Sequence, residues 1–369
     1  MPSWDFRQMA TKEGGKADLV ELTSERRDRI PRYVEALSTA LASQVADPSF
    51  SNYHVLESLG TPEHPPVPGG NIEYGFCQAL HAEEAAVAAF RARYGRFDSI
   101  VVHGRRMASK VRRNRNMVLG IIAGAPGNIA SPCGNCRDIM MSDLGSEFEI
   151  VSGAKDGGIA VVAKMRDYLK EDYEAIQLEG MRRRELRYWR NVVAETRERG
   201  EALENNAYTP PNYLRPGRIY CAAIETKRAK YFGAHDVMCE YHPIYALRDA
   251  IRQARRANDP FIRSVLIVAD AGNLGSIGGN FPPHVMYKDR QHLAELNVQA
   301  ELLLGEEQDP PVYLATYDGE LWRRRKTLEL KRLWMTSAKE WIPFVFTPKN
   351  FGPEFVEHLT RYYQDRGRR

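Results

Sequence analysis

His81-Ala82-Glu83 opens an alanine-rich run that continues to Tyr94, and Pro132-Cys133-Gly134-Asn135-Cys136 brings its first thiol fifty-two residues after that histidine. Alanine favours helix more than any other residue, and Gly95 is well placed to end the run. Gly134 to Leu144 reads as a second helix, opened by the two cysteines. Working outward, Ser99–His103, Val118–Ala123, Phe148–Ser152 and Ile159–Ala163 are short β-branched strand candidates. Upstream, Ile30, Val34, Leu37, Leu41 and Val45 recur at helical spacing from Ser24 until Asp47-Pro48 closes them. Phe50–Leu59 reads as a strand and Thr61–Gly70 as a Pro/Gly loop. Strands alternating with helices predict an α/β layered fold rather than a sandwich.

A Cys-x-x-Cys pair alone has several readings, among them a redox couple and one corner of a structural zinc site. Neither accounts for His81-Ala82-Glu83 at the head of a helix. Together the pieces form His-x-Glu followed by Pro-Cys-x-x-Cys, the ligand pattern of zinc deaminases. His81, Cys133 and Cys136 supply three ligands and leave the fourth tetrahedral position open, as a catalytic zinc requires. One Zn²⁺ per chain is expected. Two thiolates and the ion sum to zero formal charge, so no neutralising Arg is needed. Glu83 stands two positions after the ligand His81, on the first helical turn. It is therefore placed to serve as proton carrier without binding the metal.

Over about Ser24 to Leu169 the chain resembles the cytidine deaminase family, of the nucleoside-salvage type. Three stretches carry the resemblance: Asn71-Ile72-Glu73, whose Glu lies eight residues before His81; His81-Ala82-Glu83; and Ser131 to Arg137, which matches Ser-Pro-Cys-Gly-x-Cys-Arg. The resemblance implies a three-layer α-β-α domain around a central mixed sheet. It also implies that Asn71 and Glu73 bind a ribose hydroxyl and that Ala82 and Ser131 line the substrate. The family's strand motif, Tyr/Phe-Ser-x-Phe-x-Val-Gly-Ala, is present only as Phe50 to Glu57. Tyr53 takes the aromatic position, while Leu56 and Glu57 replace small residues.

The second half resembles a decayed copy, as in the long bacterial form of the family. Ile342-Pro343-Phe344 and Phe351-Gly352-Pro353-Glu354 are similar to the family's closing segment, which makes Phe351 a candidate wall of a catalytic pocket on this or another chain. Aligned backwards from there, His242-Pro243-Ile244 falls near the His-Ala-Glu position and Pro283 to Tyr287 on Pro-Cys-x-x-Cys. This copy would lack the catalytic carboxylate, and His242 with His284 could keep at most a residual metal site. The expected organisation is a polar arm over 1–20, a catalytic domain over 21–170, a helical linker over 171–210 and a non-catalytic domain over 211–369: tandem α/β units, assembled as a homodimer.

Composition limits the alternatives. The 369 residues suffice for two or three domains at roughly 100–200 residues each. With 43% hydrophobic and 27% charged residues, a packed core is expected rather than disorder. A net charge of +4 does not by itself argue for nucleic acid. No stretch approaches a membrane span, and Met1 to Lys16 has no secretory core. Five cysteines, odd and sparse, fit a reducing cytoplasm. Arg105 to Arg115 could hold a substrate phosphate or be a solvated basic surface. Gly272–Gly279 lacks the Lys-Ser/Thr ending of a phosphate loop, and Cys77 reads as a small packed residue. Hydrolytic deamination of a small cytosine nucleoside is the expected activity. A deaminase of another cyclic amidine or of a nucleotide, a nucleic-acid editing protein and a structural zinc protein are the rivals.

Overall fold

A computed structural model describes residues 2–11, 17–43, 45–49, 53–75, 78–95, 117–123, 129, 131–168, 174–204, 220–234, 236–237, 243–271, 285, 287–341 and 353–367. The protein is mixed α/β and folds as two compact units, one built on Met1–Lys170 and the other on Glu171–Ile342 with Phe355–Arg369.

In the first unit the strands are β1 (Trp4–Thr11), β2 (Ala17–Glu21), β3 (Val55–Gly60), β4 (Val67–Gly70), the small hairpin β5 (Ile72–Gly75) and β6 (Gln78–Leu80), β7 (Val118–Ala123), β8 (Glu149–Ala154) and β9 (Gly158–Lys164). Seven of them form one sheet in the order β2-β1-β9-β8-β7-β3-β4. Only β7–β8 and β1–β9 pair in parallel. Alternation along β3 separates its two faces. Leu56 and Ser58 meet the helix Ile30–Ser43, where the Ser58 hydroxyl donates to the Ala36 carbonyl at 2.7 Å. Glu57, paired across the ladder with Gly69, looks the other way, towards the helix Ala82–Tyr94. Gly69 permits that helix to lie close: a Cβ there would come within 2.4 Å of the Ala86 nitrogen. The opposite helix is pinned by buried Glu149, which accepts from Tyr33 (2.9 Å), Arg29 (3.0 Å) and Arg26 (3.3 Å).

The second unit holds β10 (Glu174–Ile176), β11 (Tyr220–Thr226), β12 (Lys230–Gly233), the two-residue β13 (Asp236–Val237) and β14 (Pro243–Ile244), β15 (Ile262–Asp270), β16 (Pro311–Tyr317) and β17 (Leu330–Ser337). Its sheet runs β10-β17-β16-β15-β11-β12. The core β4-β3-β7-β8-β9 of the first unit and β12-β11-β15-β16-β17 of the second share order and sense: antiparallel, antiparallel, parallel, antiparallel. Each core has a helix after its hairpin, Ala82–Tyr94 or Ala246–Arg256. Each has another before its fourth strand, Gly134–Asp143 or Tyr287–Leu304. The two units are therefore versions of one topology.

Four expectations need correction. Thr61–Gly70 is not all loop: Val67–Gly70 forms β4, paired with β3. Residues 1–20 are not simply a loose arm: β1 runs parallel to β9, and the Trp4 indole donates to the Ala154 carbonyl at 3.1 Å. Of the expected linker 171–210, the described residues 174–204 belong to the second unit. Its strand β10 pairs with β17, and the helix Arg183–Glu204 buries Trp189 and Val193 against the second sheet. The Glu-, Arg- and Leu-rich composition from Met165 to Asn206 predicts one long solvated helix, but Met165–Tyr168 form a short 3₁₀ turn packed in the first unit. Of the strand candidates, Ser99–His103 lies outside the described residues. Among the described residues, no helix is long and apolar enough to cross a membrane.

Candidate metal centre

Two helix starts build the site. His81 is the N-cap of the helix Ala82–Tyr94 and Cys133 the N-cap of the helix Gly134–Asp143; both have extended backbone there. Cys136 lies on the first turn of the second helix. His81 Nδ1 is 3.3 Å from Cys133 Sγ, and the two sulfurs are 3.4 Å apart. Among the described residues these three form the one group fit for a metal, with ligand atoms all within 4.8 Å of one another. Zinc bonds of ~2.3 Å to sulfur and ~2.0 Å to imidazole put tetrahedral ligand atoms about 3.5 Å apart or slightly more. The donor set and its spacing thus fit Zn²⁺, with a small expansion.

Two residues that the sequence reading left without a role hold this arrangement. Glu84 accepts from the His81 backbone N–H (3.0 Å) and from the Asn135 amide (2.7 Å), so one carboxylate ties the two helix starts together. The glutamate three residues after an N-cap is a recognisable capping position. Arg137 is fully buried. It donates to the carbonyls of Pro132 (2.9 Å) and Tyr168 (2.8 Å), with its guanidinium 5.3 Å from the Tyr168 ring centre. That fixes the turn from which both thiols project.

The electrostatics suit metal binding. A hydrogen bond from Cys136, opposed by burial and aided by His81, holds the Cys133 thiol well below its usual range. The helix N-terminus adds a positive field. Burial and the neighbouring Cys133 push Cys136 up. The hydrogen bond with Cys133 raises His81 to about 9 against the opposing effect of burial. Glu83 is buried on the first turn beside this group, and burial with the Cys133 charge raises it to about 7.

Glu57 is the unexpected member of the site. It is wholly buried, and burial, with Glu83 and Cys133 acting the same way, puts its carboxyl well above the ordinary range. Glu83 is near enough to contribute, yet no hydrogen bond of ordinary geometry reaches either Glu57 oxygen.

The substrate-side residues are placed as follows. Asn71 braces β3: its amide donates to the Tyr53 carbonyl and accepts from Val55 N–H, both at 2.8 Å. An amide has one further donor hydrogen and one further lone pair. Glu73 lies half-buried on β5, in the hairpin that leads into His81, and its N–H donates to the Asp47 carbonyl at 3.0 Å. Tyr53 is half-buried, Ala82 buried, and Ser131 half-buried two residues before Cys133. Phe351, Cys77, the basic segment Arg105–Arg115, and both His242 and His284 lie outside the described residues.

The shared topology gives the second unit a corresponding position. Gly233 lies under Ala246 and Ala250 as Gly69 lies under Ala82 and Ala86. Arg290 donates to the Val285 carbonyl five residues back and lies over Trp341, as Arg137 does with Pro132 and Tyr168. This register matches His81 to Tyr245, Glu83 to Leu247, Cys133 to Met286 and Cys136 to Asp289. It corrects the alignment expected from sequence, which set His242 three residues too early and His284 and Tyr287 two too early. At the place of Cys136, the carboxylate of Asp289 accepts from Arg248 (2.8 Å) and from Tyr220 (3.1 Å).

No family model and no curated protein matches this chain. Among solved structures it is similar to a cytidine deaminase from Burkholderia pseudomallei, with 19% identity, covering 41% of this chain and 98% of that one, TM-score 0.30. A cytidine deaminase from Mycobacterium leprae shows 22% identity over 37% of this chain and 94% of its own, TM-score 0.26. One from Mycobacterium tuberculosis shows 22%, 37% and 92%, again with TM-score 0.26. At these values the likeness carries no weight for function, which the side chains must decide.

Proposed function

We propose that this chain is a zinc-dependent hydrolase that removes the exocyclic amine of a cytosine nucleoside or close analogue as ammonia. The observation that carries the reading is buried Glu83 beside a group that, among the described residues, has three metal-ligating side chains and no fourth. A structural zinc site would call for a fourth protein ligand and has no use for a carboxylate next to an open position. Zinc held by His81, Cys133 and Cys136 would supply a Lewis acid that brings the pKa of a water towards neutrality. Glu83 then takes a proton from the attacking water, delivers one to the ring nitrogen beside the reacting carbon, and protonates the departing amine. A carboxyl raised to about 7 is suited to both accepting and releasing a proton near neutral pH.

In the same reading, Asn71, Glu73, Tyr53, Ala82 and Ser131 form the substrate side, and Phe351 closes the pocket. The second unit is a non-catalytic copy, supported by Leu247 and Asp289 at the positions of Glu83 and Cys136. The chain works as a cytoplasmic homodimer, which sedimentation of the purified protein checks. The test of activity is ammonia release from cytidine, deoxycytidine, their monophosphates and free cytosine, using zinc-loaded protein. Release from at least one is expected. Preference for a monophosphate would bring Arg105–Arg115 into the site, and no release from any would refute the reading.

A further inference from the structure

Glu57 is a buried carboxylate that neither the fold nor the proton transfers of Glu83 account for. A strand residue facing a helix across a core is ordinarily apolar, and the β11 residue at the matching position, Ala222, is alanine. Both oxygens of Glu57 are buried and, although Glu83 is near enough to act on it, no hydrogen bond of ordinary geometry satisfies either; among the described residues no basic side chain pairs with it. Leaving buried acceptors unsatisfied is costly, and more so for a carboxylate. Such a group persists where something outside the chain supplies the donors.

Its neighbours locate those donors. Glu57 stands opposite Gly69, which packs under Ala82 and Ala86 at the start of the helix that carries Glu83, and Glu83 and Cys133 both act on it, so it lies beside the reacting group rather than beside any sugar. At that end a cyclic amidine offers the amine that leaves and the two ring atoms flanking the reacting carbon. One flanking atom is the ring nitrogen that Glu83 serves. The other is the ring carbon, position 5 of a pyrimidine, where an amino substituent would present N–H donors to a carboxylate.

We infer that Glu57 is a specificity-determining residue that accepts N–H donors from an amino group on the ring carbon next to the reacting carbon, so that the substrate class is an amino-substituted cytosine-type ring. This rests on the deaminase reading and narrows its substrate. A site built around a hydrogen bond discriminates strongly against a ligand that lacks the donor, because its own buried group is then left unpaired.

The test compares 5-aminocytidine with 5-methylcytidine, two substituents of similar size of which only the first donates. The kcat/KM ratio is measured for zinc-loaded wild type, Glu57→Gln and Glu57→Ala, with zinc content and melting temperature confirming that each variant folds. The wild-type ratio is expected to favour the amino ring by about tenfold or more. Glu57→Ala should bring it to within about twofold of unity, with Glu57→Gln between, because its amide keeps one acceptor oxygen. Ammonia release with a ratio that neither variant changes would overturn the role of Glu57 and leave the deaminase reading standing. An equal loss on both rings would put the contact on the common leaving amine and overturn the substrate class. Absence of turnover on these rings and on the cytosine panel alike would refute the deaminase reading itself.

Discussion

Each ligand of the metal group starts from a different protonation state, and this has a measurable consequence. Without metal, Cys133 is held towards the thiolate, Cys136 towards the thiol, and His81, raised to about 9, towards the protonated imidazole near neutral pH. Metal binding needs two thiolates and a neutral imidazole. Loading at pH 7 therefore releases about two protons, and zinc affinity should fall about 100-fold for each pH unit lost. Competition with a chromophoric chelator between pH 6 and 8 measures that slope; a slope below one would contradict the protonation states assigned here. At this scale His81, Glu83, Cys133 and Cys136 were legible in the sequence because their chemistry demands particular residue types at particular spacings. Glu84 and Arg137 were present in the same motifs, but their partners are a backbone N–H, an amide and carbonyls, which leave no pattern of side-chain type. Glu57 was legible only as a departure from a small-residue strand motif.

At the scale of elements, helix placement depends on close backbone approach. Gly69→Ala would drive a Cβ to 2.4 Å from the Ala86 nitrogen and lift the helix that carries His81 and Glu83. Gly233→Ala makes the corresponding clash, 1.9 Å from the Ala246 carbonyl, in the second unit. Both should destabilise by about 1–3 kcal/mol. Only Gly69→Ala should also lower zinc affinity, a contrast that thermal melting and metal analysis of the two variants read side by side. Most strands were visible as β-branched runs bounded by turns. The helix Arg183–Glu204 reads as helical from sequence but as a solvated linker, because its apolar stripe is thin: Leu186, Trp189 and Val193 stand among Arg and Glu, so overall polarity hid the face it buries. The N-terminal strands were missed for a related reason: β2 is the polar edge of the sheet, and β1 beside it also carries several polar residues.

Across the whole molecule, one topology occurs twice with different contents. The first unit keeps a metal-ligand group; the second has an ion pair and a tyrosine where a ligand would be. Burial raises Asp289, and Arg248 opposes that shift. Removing one partner of a buried pair leaves the other uncompensated, so Arg248→Met should cost about 3–5 kcal/mol while zinc per chain stays near one. Calorimetry and metal analysis check both halves of that statement. The duplication was legible at the chain's closing segment, but its register was not. Met286 and Asp289 resemble no ligand pair, and only Gly233 and Arg290, matching Gly69 and Arg137 in packing, reveal which residues correspond.

On the deaminase reading, Glu83 moves protons beside a zinc that it does not bind. Glu83→Gln, assayed for zinc content and for ammonia release on the best substrate of the cytosine panel, tests this most directly. The expected result is zinc near one per chain with turnover reduced by about 10²–10⁴-fold. Turnover close to that of the unchanged protein, or loss of the metal along with activity, would contradict it.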